Sequence, residues 1–223
     1  MLSALLKALA QLADPKLRRV FWLSLGGSLA VAALLALTAG WLLTVTQFVT
    51  MGWLEAVLDI AGALATALVI AVLFPGLVGV VSGLLLEDVA RAVEGRHYPD
   101  LAPARAQPIT ETVMVALAFA AAMLALNLLA LPFYLLPGVN VIIFFTINGY
   151  LLGREYFEFV ALRRLAPAAA RKIRKEHRLR VLFAGFAIVL FAMVPLLNLL
   201  LPLFGAAFMV HVFERLRQQP KSV

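Results

Sequence analysis

Leucines at 2, 5, 6, 9 and 12 fall on one helical face, with Lys7 and Gln11 off it. That spacing predicts an amphipathic helix over 1–13 that lies in a membrane interface rather than crossing it. Asp14-Pro15 follows, an N-cap residue and a first-turn proline, and predicts the start of a long helix. Beyond it come four runs without Asp, Glu, Lys or Arg: Val20–Leu54, Ile60–Leu86, Thr112–Gly153 and Val181–Phe213. Uncharged runs of about 18 or more residues read as membrane-inserted helices. The pattern predicts an all-α integral membrane protein: the N-terminal amphipathic helix, two long transmembrane helices (Pro15–Gln47 and Leu54–Glu94), then two shorter helical hairpins, re-entrant or partly inserted. As one membrane domain, 1–223, this is an interfacial helix at 1–13 and a long hairpin at 15–94. A cytoplasmic loop follows at 95–110, a second hairpin at 111–165, a basic cytoplasmic loop at 166–180 and a third hairpin at 181–217.

The last run sets the least ordinary expectation. It spans 33 residues, against about 20 for one crossing and about 40 for two. Pro195, Asn198 and Pro202 lie near its centre. As helices, the arms Val181–Val194 and Leu196–Phe213 would rise about 21 to 27 Å, short of a hydrocarbon core of about 30 Å. The turn is therefore expected to stop inside the membrane, where exposed backbone needs protein or water to cover it; two short spans in a thinned bilayer are the other reading. The preceding hairpin turns at "LPGVN" and this one at "VPLLN", so Pro-x-x-Asn recurs as a weak internal repeat. On the second long helix, Gly79 and Gly83 form a small-xxx-small pair suited to close helix packing.

Composition agrees: 64% of residues are hydrophobic and 14% charged, where a soluble domain carries roughly a quarter charged. The net charge of +7 is explained by position. All 19 Lys and Arg lie at the N-terminus, after the second and third uncharged runs, or at the C-terminus. The connections near 44–56, 137–140 and 195–202 carry none. Basic residues mark cytoplasmic loops, so both termini are expected in the cytoplasm and no nucleic acid is needed to account for the charge. There is no cysteine, hence no disulfide and no thiolate metal site. No phosphate-binding Gly-rich loop, Ser nucleophile elbow or His-Glu-x-x-His helix occurs. Neither an enzyme nor a cofactor is expected, and no cleavable secretory signal is seen.

"FAGFAIVLFAMVPLLNLLLPLFGAAFMV" resembles the last hairpin of the CysZ sulfate permease family and its wider etoposide-induced-protein relatives. "LPGVNVIIFFTINGYLLGREYFE" resembles the preceding hairpin, and "DPKLRRVFWLSL" the start of the first long helix. The resemblance implies a bacterial inner-membrane protein that takes up sulfate or a related oxyanion without ATP hydrolysis, channel-like or ion-coupled, and that works as a homo-oligomer. In that family a Gly-Leu/Ile-Arg-Arg element is associated with sulfate binding, which transfers here to Leu17, Arg18 and Arg19. Lys16 stands where the family has glycine. The family's basic stretch before the third run is replaced by "QPITETV", and its acidic stretch after that run by "REYFEFVALRR".

The chemistry of the arginine pair agrees with that implication. A helix start favours anions, and guanidinium groups match two oxygens of a sulfate. The competing reading has the pair snorkelling to anionic lipid headgroups at a cytoplasmic helix end. The basic run Ala170–Arg180 could serve such lipids too. Asn127, Asn140, Asn148 and Asn198 are expected to line a polar path or to hydrogen-bond between helices. Glu55 and Asp59 read as solvated charges at a helix start, Arg154, Glu155 and Glu158 as an interfacial ion-pair cluster. His211 stands remote in sequence from His97 and His177, with no metal constellation visible. Outside transport of sulfate, the alternatives are a non-transporting membrane scaffold or stress-related protein of the same fold, and a channel for another anion.

Overall fold

The computed structural model describes residues 1–45, 52–136 and 138–218, with side chains described outside 43–45, 52–56, 59, 71–73, 75–80 and 82–84. Glu55, Asp59, Gly79, Gly83 and Pro137 fall outside what is described. All regular structure among the described residues is helical: α1 (Leu2–Gln11), α2 (Pro15–Val45), α3 (Gly52–His97), α4 (Ile109–Tyr134), α5 (Val139–Leu162), α6 (Pro167–Glu176), α7 (Arg178–Ala192), α8 (Pro195–Asn198) and α9 (Leu201–Gln218). The chain divides into two compact units, Arg18–Leu85 and Met1–Leu17 with Leu86–Val223.

The first of these units holds most of α2 and α3. On α2, Val20, Ser24, Ser28 and Ala32 recur every four residues and are buried. The two serines donate to carbonyls one turn back, Ser24 to Val20 at 2.9 Å and Ser28 to Ser24 at 2.6 Å. Bonding back to the helix lets a hydroxyl be buried without a partner elsewhere. A Cβ on Gly27 would lie 3.2 Å from Val81 Cγ1, so the helices approach closely there. With 31 and 46 residues, α2 and α3 rise about 47 and 69 Å, well beyond a hydrocarbon core of about 30 Å.

The other unit is organised around α5, α7 and α9. Gly149 and Gly153 lie one turn apart on α5 and face Gly185 on α7. A Cβ on Gly153 would sit 2.5 Å from the Val181 carbonyl oxygen, and one on Gly185 would overlap the Gly149 carbonyl. The two backbones therefore touch, which residues larger than glycine would forbid. Helix α9 is buried along most of its length, with Gly205 making room for the Tyr156 ring. Phe157 meets Phe213 edge-on at 5.7 Å, and Phe191 stacks on Phe204 at 4.0 Å between centroids. Such aromatic geometry adds to the area it buries.

Helix α1 packs on α9 through Ala4, Ala8 and Gln11. Its leucines point the other way, with Leu2, Leu6 and Leu9 exposed. The stripe read from the sequence is thus the face turned away from the protein, and the small residues make the contact.

Among the described residues two helices, Pro15–Leu42 within α2 and Ile109–Tyr134, are long and apolar enough to cross a membrane. The 26 residues of α4 rise about 39 Å, so its length does not call for the partial insertion expected of the second hairpin. By contrast α7 and α9, with 15 and 18 residues, rise about 22 and 27 Å. Between them Val194 is extended, Pro195 opens the single turn α8, and Leu201-Pro202 opens α9. At the earlier turn Gly138 has φ 80°, a left-handed conformation that suits glycine. Asn140 Oδ1 accepts from the Val141 N–H at 2.7 Å, satisfying a helix-start donor locally.

Candidate functional site

Helix α2 begins where the sequence places an N-cap. Asp14 Oδ1 accepts from the Lys16 N–H at 2.9 Å, and its other oxygen pairs with Arg96. The Lys16 hydrogen bond, aided by Arg96, holds the Asp14 carboxyl below its usual range despite an opposing contribution from burial. Leu17 is buried, and Arg18 and Arg19 are exposed without a hydrogen bond or ion pair among the described residues.

This geometry corrects one premise of the anion reading. Pro15 has no N–H to offer, and Asp14 already occupies the Lys16 N–H. The carboxylate also faces the positive end of the helix dipole. Neither of the first two helical residues therefore has an N–H open to a dianion. What remains available is the unpaired charge of the Arg18 and Arg19 guanidinium groups.

The asparagines differ from one another. Asn127 Nδ2 donates to the Met123 carbonyl and Asn148 Nδ2 to the Phe144 carbonyl, each at 2.8 Å and within its own helix. They satisfy themselves rather than bridging to a neighbouring helix, as the sequence had suggested. Asn140 Oδ1 accepts from the Val141 N–H in the first turn of α5, and the Asn198 backbone N–H bonds to the Val194 carbonyl at 2.9 Å in the single turn α8. Among the described residues the structure shows no hydrogen bond from one of these four side chains to another.

It does gather charges at the C-terminal end of α5. Arg154 Nε donates to Glu158 at 3.0 Å, and Arg174 on α6 pairs with the same carboxylate at 3.3 Å. Arg154 also lies 5.7 Å over the Phe119 ring. Glu155, next in sequence, takes no part and has no hydrogen bond or ion pair among the described residues. One turn further, Arg163 and Arg164 converge on Glu94 of α3, at 2.9 and 2.6 Å, and Arg163 also meets Glu87. The Arg105 N–H donates to the Arg163 carbonyl at 2.7 Å, which pins the connection between α3 and α4.

A second polar cluster joins residues far apart in sequence. Tyr98 and His211 Nδ1 are 3.0 Å apart, His211 Nε2 is 3.0 Å from Gln11 Oε1, and Gln11 Nε2 is 3.1 Å from His97 Nδ1. The four groups form one chain when Tyr98 O–H donates to His211, His211 Nε2–H to Gln11, and the Gln11 amide to His97. That direction requires both imidazoles to be neutral. Burial lowers the affinity of His97 for a proton, and Lys7 and Arg96 nearby act in the same sense, with Asp14 opposing them. His211 is thus not remote from His97: their rings lie 4.9 Å apart. Sequence spacing carried no signal for this meeting of α1, α3 and α9.

A family model described as Sulfate transporter CysZ/Etoposide-induced protein 2.4 matches residues 4–202. The chain belongs to this family. No match was found among curated proteins. Membership in the CysZ/etoposide-induced-protein family agrees with the all-helical architecture and the two membrane-length helices. The match covers the Leu17-Arg18-Arg19 element, both asparagine-bearing turns and the first residues of α9.

Proposed function

We propose that the protein takes up sulfate or a related oxyanion across the bacterial inner membrane, with Arg18 and Arg19 holding the anion at the cytoplasmic end of α2. The observation that carries the reading is the CysZ/etoposide-induced-protein match over 4–202 together with an exposed, unpaired arginine pair inside it. Two adjacent guanidinium groups supply charge and a forked donor geometry for a tetrahedral dianion. Because Asp14 fills the helix start, binding rests on side chains rather than on backbone N–H groups. Lys16 adds positive charge in place of the family's glycine.

The termini and the basic loops face the cytoplasm in this proposal, α2 and α3 cross the bilayer, and the α7–α9 hairpin is partly inserted. The broad exposed apolar surface of α4 then meets lipid or a further copy of the chain, and a path completed between copies conducts the anion. Flux runs as a channel or is coupled to an ion. Asn127, Asn140, Asn148 and Asn198 are side chains such a path can use, although in the isolated chain three of them bond locally.

Purified protein in liposomes should take up radiolabelled sulfate, with selenate competing. Arg18→Ala/Arg19→Ala should reduce uptake by about tenfold or more, the factor for losing a charge-assisted hydrogen bond. Uptake of other anions with no sulfate preference would make it a different anion channel. A folded, inserted parent protein without any uptake would leave a membrane scaffold.

A further inference from the structure

An open cavity of about 580 Å³ lies between the α3–α4 connection, α4 and α5. Its charged lining is Glu87, Arg105, Glu155, Glu158 and Arg163. Most of that charge is already matched. Arg163 holds Glu87 and Glu94, Glu158 holds Arg154 and Arg174, and Arg105 Nη2 spans both oxygens of Glu111 at 2.7 and 2.8 Å. Two groups are left over. The Glu155 carboxylate is accessible and has no partner among the described residues, and Arg105 Nη1 is buried without an acceptor.

A cavity with those two vacancies is wrong for sulfate. Its unpartnered acid, Glu155, repels a dianion, and Arg105 has a single N–H group, Nη1, left to offer. It suits a zwitterion that brings a cation with N–H donors to Glu155 and an oxyanion toward Arg105. An acceptor reaching Arg105 Nη1 recovers the cost of a buried donor left unpaired. The remaining wall is apolar, with Val115, Phe119 and Leu162. It continues onto the exposed apolar surface of α4 at Val113, Leu117 and Leu124. The occupant therefore carries a zwitterionic head and a hydrocarbon body.

We propose that this cavity binds a bilayer lipid with an ethanolamine-phosphate headgroup, its ammonium on Glu155, its phosphodiester beside Arg105 and its acyl chains along α4. The continuity between cavity and apolar helix surface selects a lipid over a soluble zwitterion. A choline headgroup, with no N–H, cannot hydrogen-bond to Glu155 and is discriminated against. The proposal does not depend on sulfate transport.

The test is lipid retention by the full-length protein, delipidated in detergent and exposed to equal amounts of phosphatidylethanolamine, phosphatidylcholine and phosphatidylglycerol, then read by native mass spectrometry. The parent should retain phosphatidylethanolamine about tenfold over either competitor, the factor for one charge-assisted hydrogen bond. Glu155→Gln should erase the preference. Ala116→Trp, at an exposed position on the cavity lining, should reduce retention without altering any charge, and size-exclusion profiles would show that both variants fold. Equal retention of the three lipids by the parent, or an unchanged preference in Glu155→Gln, would overturn the site. Displacement by soluble glycerophosphoethanolamine at millimolar concentration would overturn the lipid assignment in favour of a soluble zwitterion.

Discussion

Gln11 does the work of a coupling residue: its amide lets one hydrogen-bonded chain pass from Tyr98 through His211 to His97. The chain is neutral throughout and both imidazoles accept in it, so it is vulnerable at His97, where it ends on an acceptor. A proton on His97 Nδ1 replaces an acceptor with a donor facing the Gln11 amide. The folded protein lowers the proton affinity of His97 below its ordinary value of 6.5, first through burial and then through Lys7 and Arg96. The unfolded or undocked state therefore binds more protons between the two values, and stability rises with pH across that window. The contribution is fully present above 6.5 and is lost as pH falls through the lower, folded value. Hydrogen–deuterium exchange should show α1 well protected at about pH 7.5 and less protected at about pH 5, a loss that His97→Gln should diminish. Protection of residues 2–11 that does not change with pH would refute the role. The candidate arginines were legible in the sequence because a short motif carries them. This cluster was not, since its members come from α1, the end of α3 and α9, and no local spacing links them.

Close approach between helices is decided by residues that are absent rather than present. The α5–α7 contact depends on Gly149, Gly153 and Gly185 together, and each backbone lies where the other's Cβ would stand. Gly185→Ala should destabilise the protein by about 1–3 kcal/mol or more, because the carbonyl of Gly149 cannot move without shifting α5. Gly26→Ala is the matched control: nothing lies within 4 Å of its Cβ position, and alanine in a helix interior is worth about 0.5–1 kcal/mol over glycine. Thermal unfolding in detergent should separate the two. Equal midpoints would mean that α5 and α7 do not pack this tightly in solution. The sequence pointed to Gly79 and Gly83, and Gly149-x-x-x-Gly153 repeats the same spacing. Spacing alone cannot rank such pairs, because the third glycine that makes the contact lies on another helix. The N-cap was legible for the opposite reason: Asp14-Pro15 acts on its own next residues, and α2 starts there. Its consequence for anion binding was not, because occupation of the Lys16 N–H is a matter of side-chain geometry.

For the molecule as a whole, charge placement speaks to sidedness and helix length to depth. An all-helical membrane chain could be read from uncharged runs alone, since run length and composition are properties of the sequence. Depth is different, because it depends on how a hairpin too short to cross is covered by its neighbours. Helices α7 and α9, at about 22 and 27 Å, fall short of a hydrocarbon core of about 30 Å, while the break at Val194–Leu200 leaves backbone groups that hydrocarbon cannot satisfy. A partly inserted hairpin would place Leu196, four-fifths exposed in the isolated chain, below the membrane surface. The natural absence of cysteine makes Leu196→Cys a clean probe. In right-side-out vesicles a membrane-impermeant maleimide should leave it unlabelled, and a nitroxide or bromine on the lipid chains should quench a permeant fluorophore attached there. Asp100→Cys, in the connection between α3 and α4, should react with the impermeant reagent only when the vesicles are inverted. Rapid labelling of position 196 from the outside would mean that the hairpin crosses completely. The bilayer would then have to thin around α7 and α9, and the short arms would mark a local deformation of the membrane rather than a turn held within it.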